Sequence, residues 1–295
     1  MMKTTDADLG EKTVDRYLDT KYIRLHYLRH AGTEPPLLLM PGLTANAHAF
    51  DGVVGAGVRR AVLAVDLRGR GLSDKPDQGY GMGEHAADII GMLDEFGMDR
   101  AIVGGHSFGG ILSVYLACHY PDRIEKIIII DAAARTHPNT GEMVAPALSR
   151  LGRKWPSFSD FLADIKKAPY LKGEWYPEME RYYRGDVKQL DDGTYTTNSS
   201  LEQITQAIQG VAGSGIDWSE YVSRVTQPAL LINARENYDD KAPILPEELA
   251  LETIDLLQAG QYKAVSGNHL TMLYGEGAKQ IAAAINDFVM AKDPQ

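Results

Sequence analysis

A short glycine-containing segment of this chain could supply a nucleophile. Residues 105–109 read Gly-His-Ser-Phe-Gly, with an apolar run before them at 101–103 and a helix-forming run after them at 111–117. In the order strand, turn, helix, such a G-x-S-x-G sequence predicts a nucleophile elbow, in which a sharp turn exposes the hydroxyl of Ser107. The helix that follows directs free N–H groups and a positive dipole end to the same point. We therefore expect a nucleophile and part of an oxyanion site here.

A serine hydroxyl needs a neighbouring base, which is usually a histidine that a carboxylate orients. His269 lies in a loop between the last predicted strand and the last predicted helix, where the chain order Ser, acid, His places the base. We expect His106, inside the elbow, to pack or to bond locally instead. The chain has eight histidines, at positions 26, 30, 48, 85, 106, 119, 137 and 269.

Three carboxylates could orient this base. Asp131 directly follows the isoleucine run 127–130, and a carboxylate beside so apolar a segment needs a partner. Either loop N–H groups satisfy Asp131, or it bonds to the Nδ1 proton of His269. Asp239 and Glu236 follow a later apolar run. We rank Asp131 first, then Asp239, then Glu236.

Composition limits the classes of partner. The 295 residues include 40 acidic and 30 basic side chains, which gives a formal net charge of −10. Nucleic acids and anionic membranes require a basic face, so we expect neither as a partner and expect a small-molecule substrate instead. Paired histidines with metal-ligand spacing are absent from the sequence, which predicts no metal and no cofactor. The oligomeric state is left open.

The sequence favours a cytoplasmic location. Its single cysteine, Cys118, lies on the apolar face of a predicted helix and excludes a disulfide within the chain. Residues 1–8 are polar and acidic, unlike a signal peptide. Apolar windows also fall short of the ~20 residues of a membrane span.

The order of apolar runs predicts an α/β fold. Two alternating segments, 14–18 and 22–27, are typical of an antiparallel pair at a sheet edge. Continuous apolar runs follow, alternating with helical patterns, and this is the signature of a parallel sheet buried on both faces. These runs are 37–40, 61–65, 101–103, 127–130, 229–232 and 261–265. The predicted helices are 83–96, 108–120, 246–257 and 277–290.

A long interruption divides this pattern. Residues 135–223 are helical in tendency and rich in Trp and Tyr, and the segment is too long for a loop, so we expect an inserted cap domain. Residues 1–134 and 224–295 then form the core domain. Trp155 and Trp175 are candidates for substrate contact, with packing inside the cap as the alternative.

The chain resembles the α/β-hydrolase superfamily along nearly its whole length. The matching pieces are the turn 41–43, the stretch 66–74, the elbow and the Gly-Asn-His at 267–269. The resemblance implies a mostly parallel eight-stranded sheet flanked by helices, with a helical cap inserted after the sixth strand. Within the superfamily, the sequence is similar to (acetamidomethylene)succinate hydrolases and related carboxylesterases in the spacing from elbow to aspartate and in the run 71–76.

The resemblance also implies roles for particular residues. The oxyanion donors would be the backbone N–H groups of Leu43 and Phe108. Asn237 stands where most members carry the acid, after the seventh strand, and an amide cannot stabilise an imidazolium. Some members carry the acid after the sixth strand, which corresponds to Asp131. The stretch 66–74 is interpreted as scaffold, with Arg68 and Asp74 as local partners.

These residues predict a serine hydrolase that cleaves a carboxylic ester of a small or medium acyl substrate through an acyl-enzyme intermediate. The dehalogenase and epoxide-hydrolase branches of the superfamily are disfavoured, because both use aspartate as the nucleophile. Amide or lactone hydrolysis is the alternative reaction. A second alternative is a ligand-binding protein without catalysis, because folds of this kind also serve as receptors.

Overall fold

One large sheet organises the protein. The computed structural model describes residues 13–212, 215, 217–240 and 242–291, so the polar segment 1–8 and the outer ends of the predicted core domain lie outside the described residues. In chain order the strands are β1 (Thr13–Asp19), β2 (Arg24–His30), β3 (Thr33–Met40), β4 (Arg60–Val65), β5 (Ala101–His106), β6 (Ile124–Ile130), β7 (Lys154–Trp155), β8 (Val187–Gln189), β9 (Tyr195–Thr197), β10 (Ala229–Ala234) and β11 (Gly260–Val265).

Eight of these strands form the large sheet, in the order β1-β2-β4-β3-β5-β6-β10-β11. β1 and β2 are antiparallel at one edge, and β2 also runs antiparallel to β4. The other neighbours are parallel. The predicted edge pair and the mostly parallel eight-stranded sheet are confirmed.

Helices cover both faces of the sheet. The isoleucines of β6 divide between two apolar cores, with Ile127 and Ile129 in one and Ile128 and Ile130 in the other. This alternation follows from the two-residue period of a strand, and it explains the continuous apolar runs. None of the described helices is long and apolar enough to cross a bilayer. The helices are α1 (Asp51–Gly55), α2 (Met82–Glu95), α3 (Phe108–His119), α4 (Thr140–Leu148), α5 (Phe158–Ile165), α6 (Pro177–Gly185), α7 (Leu201–Ala212), α8 (Trp218–Ser223), α9 (Glu247–Leu256) and α10 (Gly275–Met290).

The segment 135–223, called the insert below, lies between β6 and β10. It contains α4 to α8, in agreement with its helical tendency, and also β7, β9 and β8, which form a small antiparallel sheet. The sequence does not predict this sheet, because strands of two or three residues are too short to show an alternating pattern.

The loop between β4 and α2 forms around the buried carboxylate of Asp66. Its Oδ1 accepts a hydrogen bond from the Ala47 amide at 2.7 Å, and its Oδ2 accepts one from the Leu72 amide at 2.8 Å. Gly71 has a φ of 47°, and a Cβ at this position would lie 1.9 Å from Asp66 Oδ2. The close approach therefore requires glycine.

The side chains of Arg68 and Asp74 are not partners, contrary to the sequence interpretation. Arg68 Nε and Nη2 each donate to the carboxylate of Asp88 in α2 at 2.6 Å. Asp74 Oδ2 accepts from the backbone amide of Arg24 instead, at 2.9 Å. A bidentate pair with a buried carboxylate matches the planar guanidinium fork, and only the packing of α2 creates it.

Candidate active site

Ser107 occupies the turn between β5 and α3 in a backbone conformation that few residues other than glycine adopt. Its φ is 54° and its ψ is −115°, and its amide donates to the Ile130 carbonyl at 2.8 Å. The flanking residues Gly105 and Gly109 have to be glycine because other backbone atoms lie where a Cβ would be. A Cβ at Gly105 would lie 2.4 Å from the carbonyl carbon of Gly109, and a Cβ at Gly109 would lie 2.0 Å from the Met40 oxygen. The strain at the serine is thus held by packing around the turn.

The two residues whose backbone amides the sequence predicts as oxyanion donors, Leu43 and Phe108, both line one cavity. Phe108 is the first residue of α3, so its N–H has no acceptor inside the helix. Leu43 follows β3, and no backbone hydrogen bond of the described residues uses its amide as donor. Its carbonyl accepts from Arg70 Nε at 2.9 Å, which fixes the loop.

Asp131 directly follows β6, and its buried carboxylate accepts three hydrogen bonds. Oδ2 lies 2.6 Å from Nδ1 of His269. Oδ1 accepts from the Ala234 amide at 2.8 Å and from the Asn233 side-chain amide at 3.1 Å, both at the end of β10. Both partners that the sequence left open for Asp131 are present, because one oxygen accepts from neighbouring N–H groups and the other from the histidine.

The loop after β11 carries His269, and Asn268 shapes this loop. Asn268 Oδ1 accepts from the amides of Leu270 and Thr271, each at 2.9 Å. Its Nδ2 donates to the Tyr170 carbonyl at 2.7 Å, which ties the loop to the insert. Such an Asx turn fixes the backbone on which the histidine stands.

The sequence predicts that His106 packs or bonds locally; in the structure it is buried, and its hydrogen bond reaches the histidine loop. Its Nε2 donates to the carbonyl of His269 at 2.7 Å, and the two rings lie 4.5 Å apart. Burial, with the neighbouring His269 adding to it, lowers the pKa of His106 well below its ordinary value. A neutral His106 therefore braces the elbow against the histidine loop without adding charge.

The alternative acids lie elsewhere. Glu236 Oε1 accepts from the Gly267 amide at 3.0 Å, and Asp239 Oδ1 accepts from the Ala242 amide at 3.0 Å. Neither residue lines the cavity that contains His269, and the same is true of Asn237. Of the three candidates, the structure brings only Asp131 to the histidine.

A cavity of about 540 Å³ brings the predicted groups together. Its wall includes Leu43, Ser107, Phe108, Asp131 and His269. The insert adds residues of α4 and several tyrosines to the wall, among them Thr140, Val144, Ala147, Leu148, Tyr170, Tyr182 and Tyr183. Across the described ranges, no group of three or more His, Cys, Asp and Glu side chains is arranged to hold a metal ion.

Arg150 also lines the cavity, and the carboxylate of Asp186 neutralises its guanidinium. Its Nε and Nη2 lie 3.0 and 2.9 Å from Oδ2 of Asp186, and both side chains are buried. A paired cation has little capacity left to attract an anionic substrate.

The structure corrects the prediction that Trp155 and Trp175 contact substrate, because neither lines the cavity. Trp155 packs edge-on against Phe161 with ring centroids 4.9 Å apart, and its Nε1 donates to Asp164 at 3.1 Å. Trp175 stacks on Tyr183, and it is Tyr183 that lines the cavity. Trp155 is buried in the core of the insert, whereas Trp175 is half-buried and packs against that core.

The family model described as alpha/beta hydrolase fold matches residues 35–237, which is more than half of the chain. The chain belongs to the α/β-hydrolase fold family. The match includes β5, the elbow and Asp131, and His269 lies beyond it.

Two curated proteins and one solved structure resemble this α/β-hydrolase. The 2-(acetamidomethylene)succinate hydrolase of Mesorhizobium japonicum is 30% identical over 238 residues, which cover 78% of this chain and 81% of that protein. The crystal structure of E-2-(acetamidomethylene)succinate hydrolase aligns with a TM-score of 0.81 and 24% identity, covering 95% of this chain and 100% of the other. The N-formylmaleamate deformylase of Pseudomonas putida is 34% identical over 111 residues, 37% of this chain and 41% of that protein.

Sequence reasoning missed some polar residues of the site. Asn233 was not singled out, although it ends the strand that pairs with β6 and could therefore reach Asp131. Asn268 carried a usable signal, since asparagine often bonds to amides two or three residues further on. Arg70 was passed over as part of a scaffold stretch, and its contacts are visible only in the folded α/β-hydrolase.

We expect Asp131→Asn to lower kcat by about two to four orders of magnitude while the protein stays folded, because an amide favours the wrong imidazole tautomer. Steady-state kinetics with an activated ester measure this loss. Asp239→Asn and Glu236→Gln are the matched controls and should cost far less. Near wild-type activity for Asp131→Asn, with a large loss in either control, would return the acid to the turn after β10.

Proposed function

We propose that this protein is a serine hydrolase that cleaves a carboxylic ester of a small or medium acyl substrate through an acyl-enzyme intermediate. The observation that carries the proposal is the 2.6 Å contact between Asp131 Oδ2 and His269 Nδ1, in the wall of the cavity that also holds Ser107. This contact requires the proton on Nδ1. Nε2 of His269 is then the basic nitrogen available to a serine hydroxyl.

In the first step, Ser107 Oγ forms a bond to the carbonyl carbon and passes its proton to Nε2 of His269. The π electrons of the carbonyl move to its oxygen, where the amides of Leu43 and Phe108 donate hydrogen bonds. Asp131 stabilises the imidazolium that has formed. The carbonyl then re-forms, the bond to the alcohol oxygen breaks, and His269 returns the proton to the leaving alcohol.

In the second step, water replaces the alcohol. His269 takes a proton from the water, whose oxygen bonds to the acyl carbon, and the same two amides hold the oxyanion again. The bond between Ser107 Oγ and the acyl carbon then breaks, and His269 protonates the serine. Acid and free serine leave, so a single base serves both halves of the reaction.

The cavity supports an acyl group without net charge. Its lining is largely apolar, and the guanidinium of Arg150 is neutralised by Asp186. Desolvating a carboxylate without an unpaired cation to receive it is costly. For location we retain the cytoplasm, on the evidence of the single cysteine.

Amide hydrolysis is the second candidate, and the names of the relatives favour it. Both 2-(acetamidomethylene)succinate hydrolase and N-formylmaleamate deformylase are named for substrates that contain an amide. The proposed machinery applies to amides too, since His269 can protonate a leaving amine. Lactone hydrolysis needs no further group, because a lactone is a cyclic ester.

We expect a fluorophosphonate probe to add one adduct to the protein, on the peptide that contains Ser107, because this serine is activated and exposed to the cavity. Intact-mass and peptide mass spectrometry measure it, with Ser107→Ala as the control. Labelling of another serine while Ser107 stays free would refute the proposed nucleophile. Labelling without turnover of any ester, lactone or amide would favour the ligand-binding alternative.

We expect kcat/KM for p-nitrophenyl butyrate to exceed that for the matched p-nitroanilide by at least about 100-fold, because p-nitrophenoxide leaves more easily than p-nitroaniline. The two substrates share one acyl group, so binding differences are small. A ratio near one would show that the protein is an amidase and would replace the ester proposal by the second candidate.

We expect Val144→Phe to lower kcat/KM for an octanoyl ester by about tenfold relative to a butyryl ester, since the added ring occupies the cavity beside α4. Ala145→Phe is the matched control, because Ala145 lies on the exposed side of the same helix. The ratio of rates for the two chain lengths is the measurement. An equal shift in both variants would mean that the α4 wall does not select the acyl group.

A further inference from the structure

Arg70 is buried directly behind the proposed oxyanion site. It stands in the loop between β4 and α2, and its side chain has 0% exposure. Its Nε donates to the Leu43 carbonyl at 2.9 Å, and its Nη1 donates to the Arg68 carbonyl at 2.7 Å. Nη1 also lies 2.9 Å from Nε2 of His85. These acceptors are all uncharged.

The charge of Arg70 has no counterion. Among the described residues no carboxylate forms an ion pair with it, and its Nη2 is buried without a hydrogen-bond partner. The carboxylates nearby are already used, since Asp88 pairs with Arg68 and Asp66 with His26. An unpaired buried cation costs several kcal/mol, so a purely structural anchor would be better served by a neutral side chain.

The neighbouring His85 is a neutral acceptor. Its Nδ1 lies 2.8 Å from the Gly81 carbonyl, which places the proton on Nδ1 and leaves the lone pair of Nε2 for Arg70. Burial, reinforced by Arg70, lowers the pKa of His85 well below its ordinary value. His85 therefore orients the guanidinium without cancelling or opposing its charge.

The guanidinium contacts both residues whose amides would bind the oxyanion. It holds the Leu43 carbonyl, and its central carbon lies 5.2 Å from the centre of the Phe108 ring. The ring of Phe108 also meets His85 edge-on at 5.0 Å. One fixed cation thus braces the two chain segments, far apart in sequence, that have to converge on a single oxygen atom.

We propose that Arg70 is a positioning residue of the oxyanion site, which sets the Leu43 and Phe108 segments and supplies an unneutralised positive charge behind them. This inference rests on the proposed function. The substrate carbonyl is neutral when it binds and negative in the tetrahedral intermediate, so a fixed cation in a site of low dielectric stabilises the intermediate selectively. Arg70 therefore acts on kcat and leaves KM nearly unchanged.

The test compares Arg70→Gln, which removes the charge and keeps a donor, with Arg70→Lys, which keeps the charge and loses the fork. We expect the glutamine variant to lose about 10- to 100-fold in kcat on p-nitrophenyl butyrate, less than the loss of a direct oxyanion donor, with KM within about twofold. The lysine variant should stay within about fivefold of wild type. Arg224→Gln, on an arginine that is 57% exposed, is the control.

Binding of butylboronic acid gives a readout that a structural defect alone would not produce. Ser107 Oγ bonds to boron, the proton passes to His269, and the negative charge resides on the tetrahedral adduct. We expect the boronate to bind Arg70→Gln more weakly by the same factor as the loss in kcat. A folded glutamine variant, checked by circular dichroism, with kcat and boronate affinity both within twofold of wild type would overturn the proposal.

The pH profile tests the charge even if the glutamine variant fails to fold. Burial lowers the pKa of the Arg70 guanidinium to about 9, so kcat should fall above that pH. In Arg70→Lys this fall should move to lower pH, because lysine has the lower ordinary pKa. An unmoved profile would overturn the role of the charge. Wild-type protein that neither hydrolyses the ester nor binds the boronate would overturn the proposed function together with this inference, whereas normal wild-type behaviour with unaffected Arg70 variants would overturn this inference alone.

Discussion

The rest of the site depends on the hydrogen bond between Asp131 and His269. The two residues follow β6 and β11, which are separated in the sheet by β10. Asp131 can remain buried because the end of β10 supplies donors to its second oxygen, from Asn233 and from the Ala234 amide. Three parallel strands that end at the same edge therefore share the desolvation of one carboxylate. The position of the imidazole follows from that arrangement.

The basic side chains around this hydrogen bond differ in charge and in whether a carboxylate neutralises them. His106 is buried and neutral, and it braces the histidine loop through a backbone carbonyl. Arg150, in the cavity wall, is neutralised by Asp186. Arg70 alone of these cations has no counterion, and it lies behind the amides of Leu43 and Phe108. Under the proposed function, negative charge is thus balanced at the base and favoured at the oxyanion position, whereas the acyl end of the cavity stays neutral.

The insert completes the cavity but contributes through residues that a composition argument did not select. Trp155 is buried inside the insert and Trp175 is half-buried against its core, while tyrosines and residues of α4 line the cavity. Tyrosine and tryptophan both combine a large apolar ring with one polar group, so composition alone does not tell which of them borders the cavity. The packing of the insert's helices therefore decides which aromatic residues line the cavity.

The sequence by itself determined the sheet, the elbow and the histidine loop, because each is encoded locally. Apolar runs predict buried strands, and a serine between a strand and a helix predicts an exposed hydroxyl, so Ser107 and His269 could be selected without coordinates. The tertiary structure decided which carboxylate meets His269, that Arg68 pairs with Asp88, that the tryptophans avoid the cavity, and that Arg70 has no counterion. These contacts join residues far apart in the chain, and their energies depend on burial and on competing partners, which exist only after the elements have packed together.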